Sequence, residues 1–255
     1  MGTGSITGYI DVAQIALYVF WVFFAGLIYY LQRESKREGY PMVSERDTLV
    51  RGALPLPPVK TYLRMNGDTI SMPNDNDKIV PLPAVPTAGF PGAPLEPTGD
   101  PMVDGIGPGA WANRSDKPEY HYDGTPVIVP LRLVAGDFSV AVHDHDPRGL
   151  SVVGADGVVG GTVSDVWVDR CDVMIRYLEV AVPVSGGTRS VLLPLPFCRL
   201  KKDKVKVQSV MGRHFAKVPT TRHPEQISLR EEDQISAFYA AGTLYADPSR
   251  TEPLL

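Results

Sequence analysis

Twenty consecutive residues, from Val12 to Leu31, read VAQIALYVFWVFFAGLIYYL without a charge, and the run stops abruptly at QRESKRE. A helix rises 1.5 Å per residue, so twenty residues cover about 30 Å, the thickness of a bilayer's hydrocarbon core. A helix buried in a soluble core keeps a polar stripe, whereas this segment is apolar on every face. The run therefore predicts a single membrane-crossing helix over 12–31, with a short segment 1–11 before it. Residues 1–11 contain no Lys or Arg, while Arg33, Lys36 and Arg37 follow the run closely. Positive charge stays on the cytoplasmic side, so the N-terminus is expected outside and the large body inside. The missing basic start and the missing small-residue cleavage site argue against a removed signal peptide. Tyr29 and Tyr30 are expected at the inner interface, with Arg33, Lys36 and Arg37 beside anionic headgroups. Ala25 and Gly26 allow another helix to approach closely. One span cannot form a pore alone, so its expected work is anchorage.

The remainder reads as a water-soluble protein. With 25 basic and 29 acidic residues the net charge is −4, which gives no footprint for a nucleic acid. The most basic stretch, RLKKDKVK at 199–206, reads as a strand with a solvated outer face. Cys171 and Cys198 have neither metal nor redox spacing and are expected to be reduced thiols. Fifteen of the 24 prolines lie between Pro55 and Pro130. Proline fixes φ and removes a backbone donor, so residues 32–126 are expected to be extended and to lie on some other surface.

From residue 127 the pattern changes. VIVPLRLV, GGTVSDVWVD, IRYLEVAV and SVLLPLPF are short Val/Leu/Ile runs separated by Gly, Pro and Asp turns. They predict an antiparallel sheet that closes into a small barrel or sandwich over 127–255. One helix is expected at the end, in LREEDQISAFYAAGTLYA. Glu231, Glu232 and Asp233 meet its N-terminus, and Ile235, Phe238 and Gly242 share a face.

Four stretches stand in a fixed order: YYLQRESKREGYP at the end of the span, EPTGDPMVDGIGPGAW at 96–111, DPRGLSVVGADGVVGGTVSDVWVD at 146–169, and REEDQISAFYAAGTLYA at 230–246. Together they resemble the H subunit of the photosynthetic reaction centre of purple bacteria, over about residues 8–43 and 89–255. Residues 44–88 have no clear counterpart. Gly154 to Asp169 is also similar to the core of the PRC barrel. The resemblance implies a transmembrane helix plus a mainly-β cytoplasmic domain, a PRC-barrel-like small antiparallel barrel with one C-terminal helix. It implies a place in the bacterial inner, photosynthetic membrane, with the N-terminus periplasmic. The implied partners are the L and M subunits, antenna polypeptides and membrane lipids. Bacteriochlorophyll, bacteriopheophytin, quinones and non-haem iron would be held by the partner subunits and none by this chain alone.

A quinone reduced twice beneath such a cap takes up two protons, which must hop along carboxylates, imidazoles and water. The best candidates are Asp172 and Arg176, expected at a turn between two strands. The family has a Glu and an Arg at the matching places, so the acid here is one methylene shorter. A second candidate is DKPEYHYDG at 116–124, where His121 and Asp123 would take up protons and Glu119 would relay them inward. Glu225 stands beside Gln226, which occupies the place of a family Glu. The third is HDHDPRG at 143–149, where His143 and His145 could collect protons at the surface; two histidines do not complete a metal site. His214 and His223 carry no role.

No nucleophile elbow or phosphate loop is evident, so an independent enzyme is not expected. The expected function is an accessory subunit that caps L and M, stabilises the quinone sites and conducts protons to the secondary quinone. The alternatives are a membrane-tethered PRC-barrel adaptor for a cytoplasmic protein, and a membrane-bound hydrolase that would need metal at the His143 loop.

Overall fold

A computed structural model describes residues 4, 6–7, 10–38, 55–65, 67–74, 82–90 and 92–251. The chain divides into two compact units, Met1–Val80 with Gly89–Gly92 and Pro81–Ala88 with Ala93–Leu255. Most of segment 1–11 and part of the unmatched stretch 44–88 lie outside the described residues.

The first unit is built on α1, Val12–Glu34, a helix long and apolar enough to cross a membrane. Asp11 caps it by accepting the Gln14 N–H at 2.7 Å, which satisfies one of the donors a helix start leaves open. None of its residues is buried. The helix runs three residues past the expected end because Gln32, Arg33 and Glu34 are all good helix formers. A 3-10 turn, Ser35–Arg37, then ends it.

Two of the three basic residues after the span are folded into the first unit. Arg33 stays near the Tyr29 ring, 6.0 Å from its centre. Lys36 and Arg37 are only 2% and 6% exposed. Arg37 donates to both carboxylate oxygens of Glu34 and to the carbonyls of Pro58 and Met72, and Lys60 Nζ reaches Glu34 at 3.0 Å. A carboxylate one turn back and two carbonyls match the planar fork of the guanidinium.

Pro58 precedes and Met72 ends an antiparallel hairpin, β1 (Lys60–Leu63) and β2 (Thr69–Met72), in which Tyr62 opposes Ile70. The tract expected to be extended is thus locally paired into a short hairpin here. Arg37→Ala is expected to free the hairpin from the helix end. Amide exchange across 60–72 should accelerate while exchange within α1 stays slow.

In the second unit a further hairpin pairs β3 (Ala84–Pro86) with β4 (Leu95–Pro97). Beyond it, Met102 and Ile106 are buried in the core. The expected boundary at 126 therefore does not separate two bodies: apolar side chains in the later part of the proline-rich tract draw it into the barrel's unit.

The sheet contains β5 (Ile128–Pro130), β6 (Ser151–Val153), β7 (Val159–Asp169), β8 (Met174–Val184), β9 (Gly187–Pro194), β10 (Cys198–Leu200) and β11 (Lys204–Val207). Its order is β10-β11-β6-β7-β8-β9, with β5 paired to β7. One expected feature differs, because β11 and β6 run parallel. Two sequence runs also split. VIVPLRLV is strand only through Pro130 and then turns into a short helix, α2 (Leu131–Val134). RLKKDKVK is the β10–β11 hairpin rather than one strand, with Val205 and Val207 buried and Lys204 and Lys206 turned outward.

Val152, Val166, Leu178, Val180, Leu193, Phe215 and Ile235 are fully buried at the centre. The last helix, α3 (Leu229–Tyr245), starts at a capping box in which Ser228 and Glu231 satisfy each other's backbone N–H. Ile235, Phe238 and Gly242, which share a face, are all buried. A Cβ on Gly242 would stand 2.5 Å from the Ser209 carbonyl oxygen, so only glycine lets the helix approach.

Candidate functional site

The turn between β7 and β8 is organised by Asp169, which is 3% exposed. Its Oδ1 accepts the N–H groups of Cys171 and Asp172 at 2.9 and 3.0 Å, and its Oδ2 accepts from Arg176 Nε at 3.1 Å. A carboxylate that accepts from the next residues' backbone is the usual way an Asp starts a turn. Val173 completes the reversal with φ of 51°, a conformation that a β-branched residue seldom adopts.

This frame holds Asp172 outward, its side chain 62% exposed and its Oδ2 3.9 Å from Arg176 Nη2. The expected pair is brought together, though as the weaker limb of a triad. Arg176 lies closer to Asp169, a residue the sequence reading passed over.

Arg170 fastens the second candidate loop to this turn. Its N–H donates to the Val127 carbonyl at 3.0 Å, and its guanidinium donates to Thr125 Oγ1 at 2.6 Å and the Pro126 carbonyl at 3.3 Å. Within that loop Asp123 accepts from both the hydroxyl and the N–H of Thr125, which hold its carboxyl below the usual range. The His121 ring lies 4.9 Å from that of Tyr122, and its buried Nδ1 has no hydrogen-bond partner among the described residues. No hydrogen bond joins His121 to Asp123 or Asp172 among these residues. Glu119 is close enough to the turn to act on the Cys171 thiol and on Glu232.

Glu232, in the first turn of α3, forms the remaining wall. It accepts a hydrogen bond from the Tyr177 hydroxyl at 2.8 Å. Burial raises its carboxyl above the usual range, partly offset by the Tyr177 hydrogen bond and by Arg176 and Arg114, while Glu119 adds to the rise. Burial, and then the Glu232 charge, raise the Tyr177 phenol as well, so it stays a donor. A cleft of about 530 Å³ opens here, lined by Arg114, Met174, Arg176, Tyr177, Leu195 and Glu232 among others. Arg114 is itself paired with Asp233 at 3.3 Å.

The raised Glu232 carboxyl makes the native state bind more protons than the unfolded chain. Its contribution is thus most favourable below the unfolded value and is lost as pH rises through the folded one. Glu232→Gln keeps the acceptor for Tyr177 and removes the desolvated charge. It is expected to raise the melting temperature at neutral pH, with the gain closing in acid, as thermal melts across a pH series would read.

The other expected residues stand apart. Glu225 is exposed in the turn bridged by His223 and Gln226, and no hydrogen bond or ion pair joins it to the cluster among the described residues. His143 and His145 are exposed in a turn, where the nearby acid Asp146 is taken by Arg148 at 2.6 Å. The described residues hold no group of three or more potential metal ligands. Cys171 and Cys198 are free thiols, and burial pushes Cys198 up to about 11. A separate network, in which Arg132 bridges Asp165 and Glu179 while Trp167 Nε1 donates to Glu179 at 2.9 Å, is closed on itself.

Two family models cover most of the chain. The photosynthetic reaction centre H-chain N-terminal region matches residues 4–133, half of the sequence, and so runs through 44–88, for which the motifs offered no counterpart. The PRC-barrel domain matches residues 140–213, which include β6 to β11. The apolar α1, the curled sheet and α3 are the architecture expected for that pairing. The chain therefore belongs to the photosynthetic reaction centre H-chain family, and it carries a PRC-barrel domain behind its N-terminal region.

Proposed function

We propose that this reaction-centre subunit caps the cytoplasmic face of the L and M subunits, stabilises the quinone sites and conducts protons from the cytoplasm to the secondary quinone. In this reading α1 anchors the chain among the helices and antenna polypeptides of the photosynthetic membrane, with its N-terminus periplasmic. The pigments, quinones and non-haem iron are held by the partner subunits. The chain supplies acids and a phenol, and it breaks no bond of its own.

The observation that carries the reading is the gathering of Asp169, Asp172, Arg176, Tyr177, Glu119 and Glu232 around one end of the β7–β8 ribbon. Proton hopping needs titratable groups close together, some wet and some shielded. Asp172 is wet, Asp169 is shielded and ion-paired, and Glu232 lies between these extremes. A tethered adaptor, the competing reading, would place no demand on such a gradient.

Flash-driven proton uptake, followed with a pH-indicator dye in the purified complex, tests the proposal. Uptake with the second electron is expected to slow in Asp172→Asn and to be unchanged in His143→Ala/His145→Ala, whose side chains stand apart from the cluster. Equal uptake in the wild-type and Asp172→Asn complexes would contradict it.

A further inference from the structure

A second cleft, of about 470 Å³, contains none of the acids described above. Its walls come from β10, the residues after β11, the last turn of α3 and a 3-10 turn, Pro248–Arg250. Arg250 is fixed there. Its Nη1 donates to the carbonyls of Ser209 and Gly242 at 2.7 and 2.6 Å, and its Nη2 to that of Gln208 at 3.0 Å. A guanidinium has donors to spare beyond these bonds. Ser209, which also lines the cleft, is 6% exposed, and its buried hydroxyl has no hydrogen-bond partner among the described residues. Leaving a buried hydroxyl unpaired is costly, so it calls for a partner from outside the chain.

The rim adds uncompensated charge. Arg199, in the cleft wall, stands directly across from Lys206 of β11, and like charges placed opposite each other destabilise a strand pair. Residues 199–206 hold five basic side chains against Asp203 alone, and Asp203 is paired with Lys204 at 3.6 Å. Burial keeps the Cys198 thiol protonated, so the cleft wall presents no anion of its own. Asp247, the acid that acts on Arg250, accepts from the N–H and hydroxyl of Ser249 and is not part of the wall. Solvation accounts for the exposed lysines, but it does not account for an immobilised guanidinium beside an unpaired buried hydroxyl.

We infer that this cleft binds a phosphate group, free or as the headgroup of an anionic lipid, between Arg199, Arg250 and Ser209, with Lys206 at its rim. A tetrahedral phosphate offers acceptor oxygens on several sides, which suits two guanidinium groups and a hydroxyl better than a planar carboxylate does. Its charge also offsets the repulsion between Arg199 and Lys206.

Isothermal titration calorimetry on the intact complex, purified through the full chain into phosphate-free buffer at fixed ionic strength, tests the inference. The probes are inorganic phosphate, water-soluble dihexanoyl phosphatidic acid, and acetate as the carboxylate control. Saturable heat is expected from a phosphate probe and none from acetate. Inorganic phosphate binding as tightly as the lipid assigns the site to free phosphate, and tighter binding of the lipid assigns it to a headgroup. Arg199→Gln is expected to weaken that binding at least about tenfold, the usual loss when a charged hydrogen-bonding group is removed, and Ser209→Ala severalfold. Arg199 is exposed and has no ion pair among the described residues, so the melting temperature of Arg199→Gln should match the wild type. No saturable heat from either phosphate probe, equal binding of acetate, or unaltered affinity in Arg199→Gln overturns the inference.

Discussion

In the assembled complex, Asp172→Asn is expected to slow the second, proton-coupled electron transfer to the secondary quinone at least about tenfold and to leave primary charge separation unchanged. A positioned proton-transfer group contributes roughly 10²-fold or more; where other acids share the flux, the loss is smaller. The substitution is unusually clean. Asp172 joins the turn frame through its backbone N–H, which Asp169 accepts, and Asn has the same shape and the same N–H. The side-chain contact it loses is a 3.9 Å surface ion pair, of a kind worth about 0–1 kcal/mol. Folding and assembly should therefore be unaffected, and flash spectroscopy of the first and second electron transfers reads the proton step alone. A complex in which both transfers keep their wild-type rates would show that Asp172 is only a solvated turn residue.

Phe238→Ala is expected to cost the second unit about 3–5 kcal/mol, the usual loss for emptying a fully buried aromatic site. For a body of this size that corresponds to a fall of roughly 10 °C in melting temperature. Phe238 is 1% exposed and packs edge-on to Tyr239, their ring centres 5.9 Å apart. It also lines a cleft with Met102, Gly109 and Trp111, so it joins α3 to the tail of the proline-rich tract. Loosening it should release α3 and with it Glu232. Phe238→Leu, which leaves a smaller cavity, should lose less than half as much. Equal melting temperatures for Phe238→Ala and the wild type would mean that α3 does not contribute to the core.

Both predictions rest on side chains of unequal legibility in the sequence. Phe238 could be read, because Ile235, Phe238 and Gly242 repeat at helical spacing behind a capping box, and local pattern matched tertiary packing there. Asp172 and Arg176 could be placed at a turn because the reversal between two Val-rich runs is short, but it is the family resemblance, not the pattern, that makes them candidates. Asp169 was passed over because it ends a strand whose alternation marks it only as a last position. What distinguishes it is that its carboxylate turns back onto Cys171 and Asp172, a contact that depends on the reversal at Val173. Glu232 was seen only as a helix-start charge. Its neighbour Glu231 takes the capping role, and that leaves Glu232 on the face toward Tyr177, a distinction that spacing from Ser228 could have drawn.

The features that local sequence leaves out share a cause. Charge after the span marks a membrane flank, but it does not show that Arg37 also meets Glu34 and two carbonyls of a hairpin some twenty to thirty-five residues downstream. Proline density correctly signalled little regular structure between 100 and 126, but it hid the β1–β2 and β3–β4 hairpins, whose prolines sit at strand ends where no ladder donor is needed. The parallel pairing of β11 with β6 is a long-range contact that no local run encodes.

The most direct measurement is an absorption spectrum of what accompanies this chain when the native membrane is extracted in mild detergent and the complex is purified through it. The account predicts near-infrared bacteriochlorophyll bands that bleach in light and recover in the dark. A pigment-free preparation, taken from cells shown to be making pigment and with the complex verified as intact, would contradict it and leave a tethered barrel with some other partner.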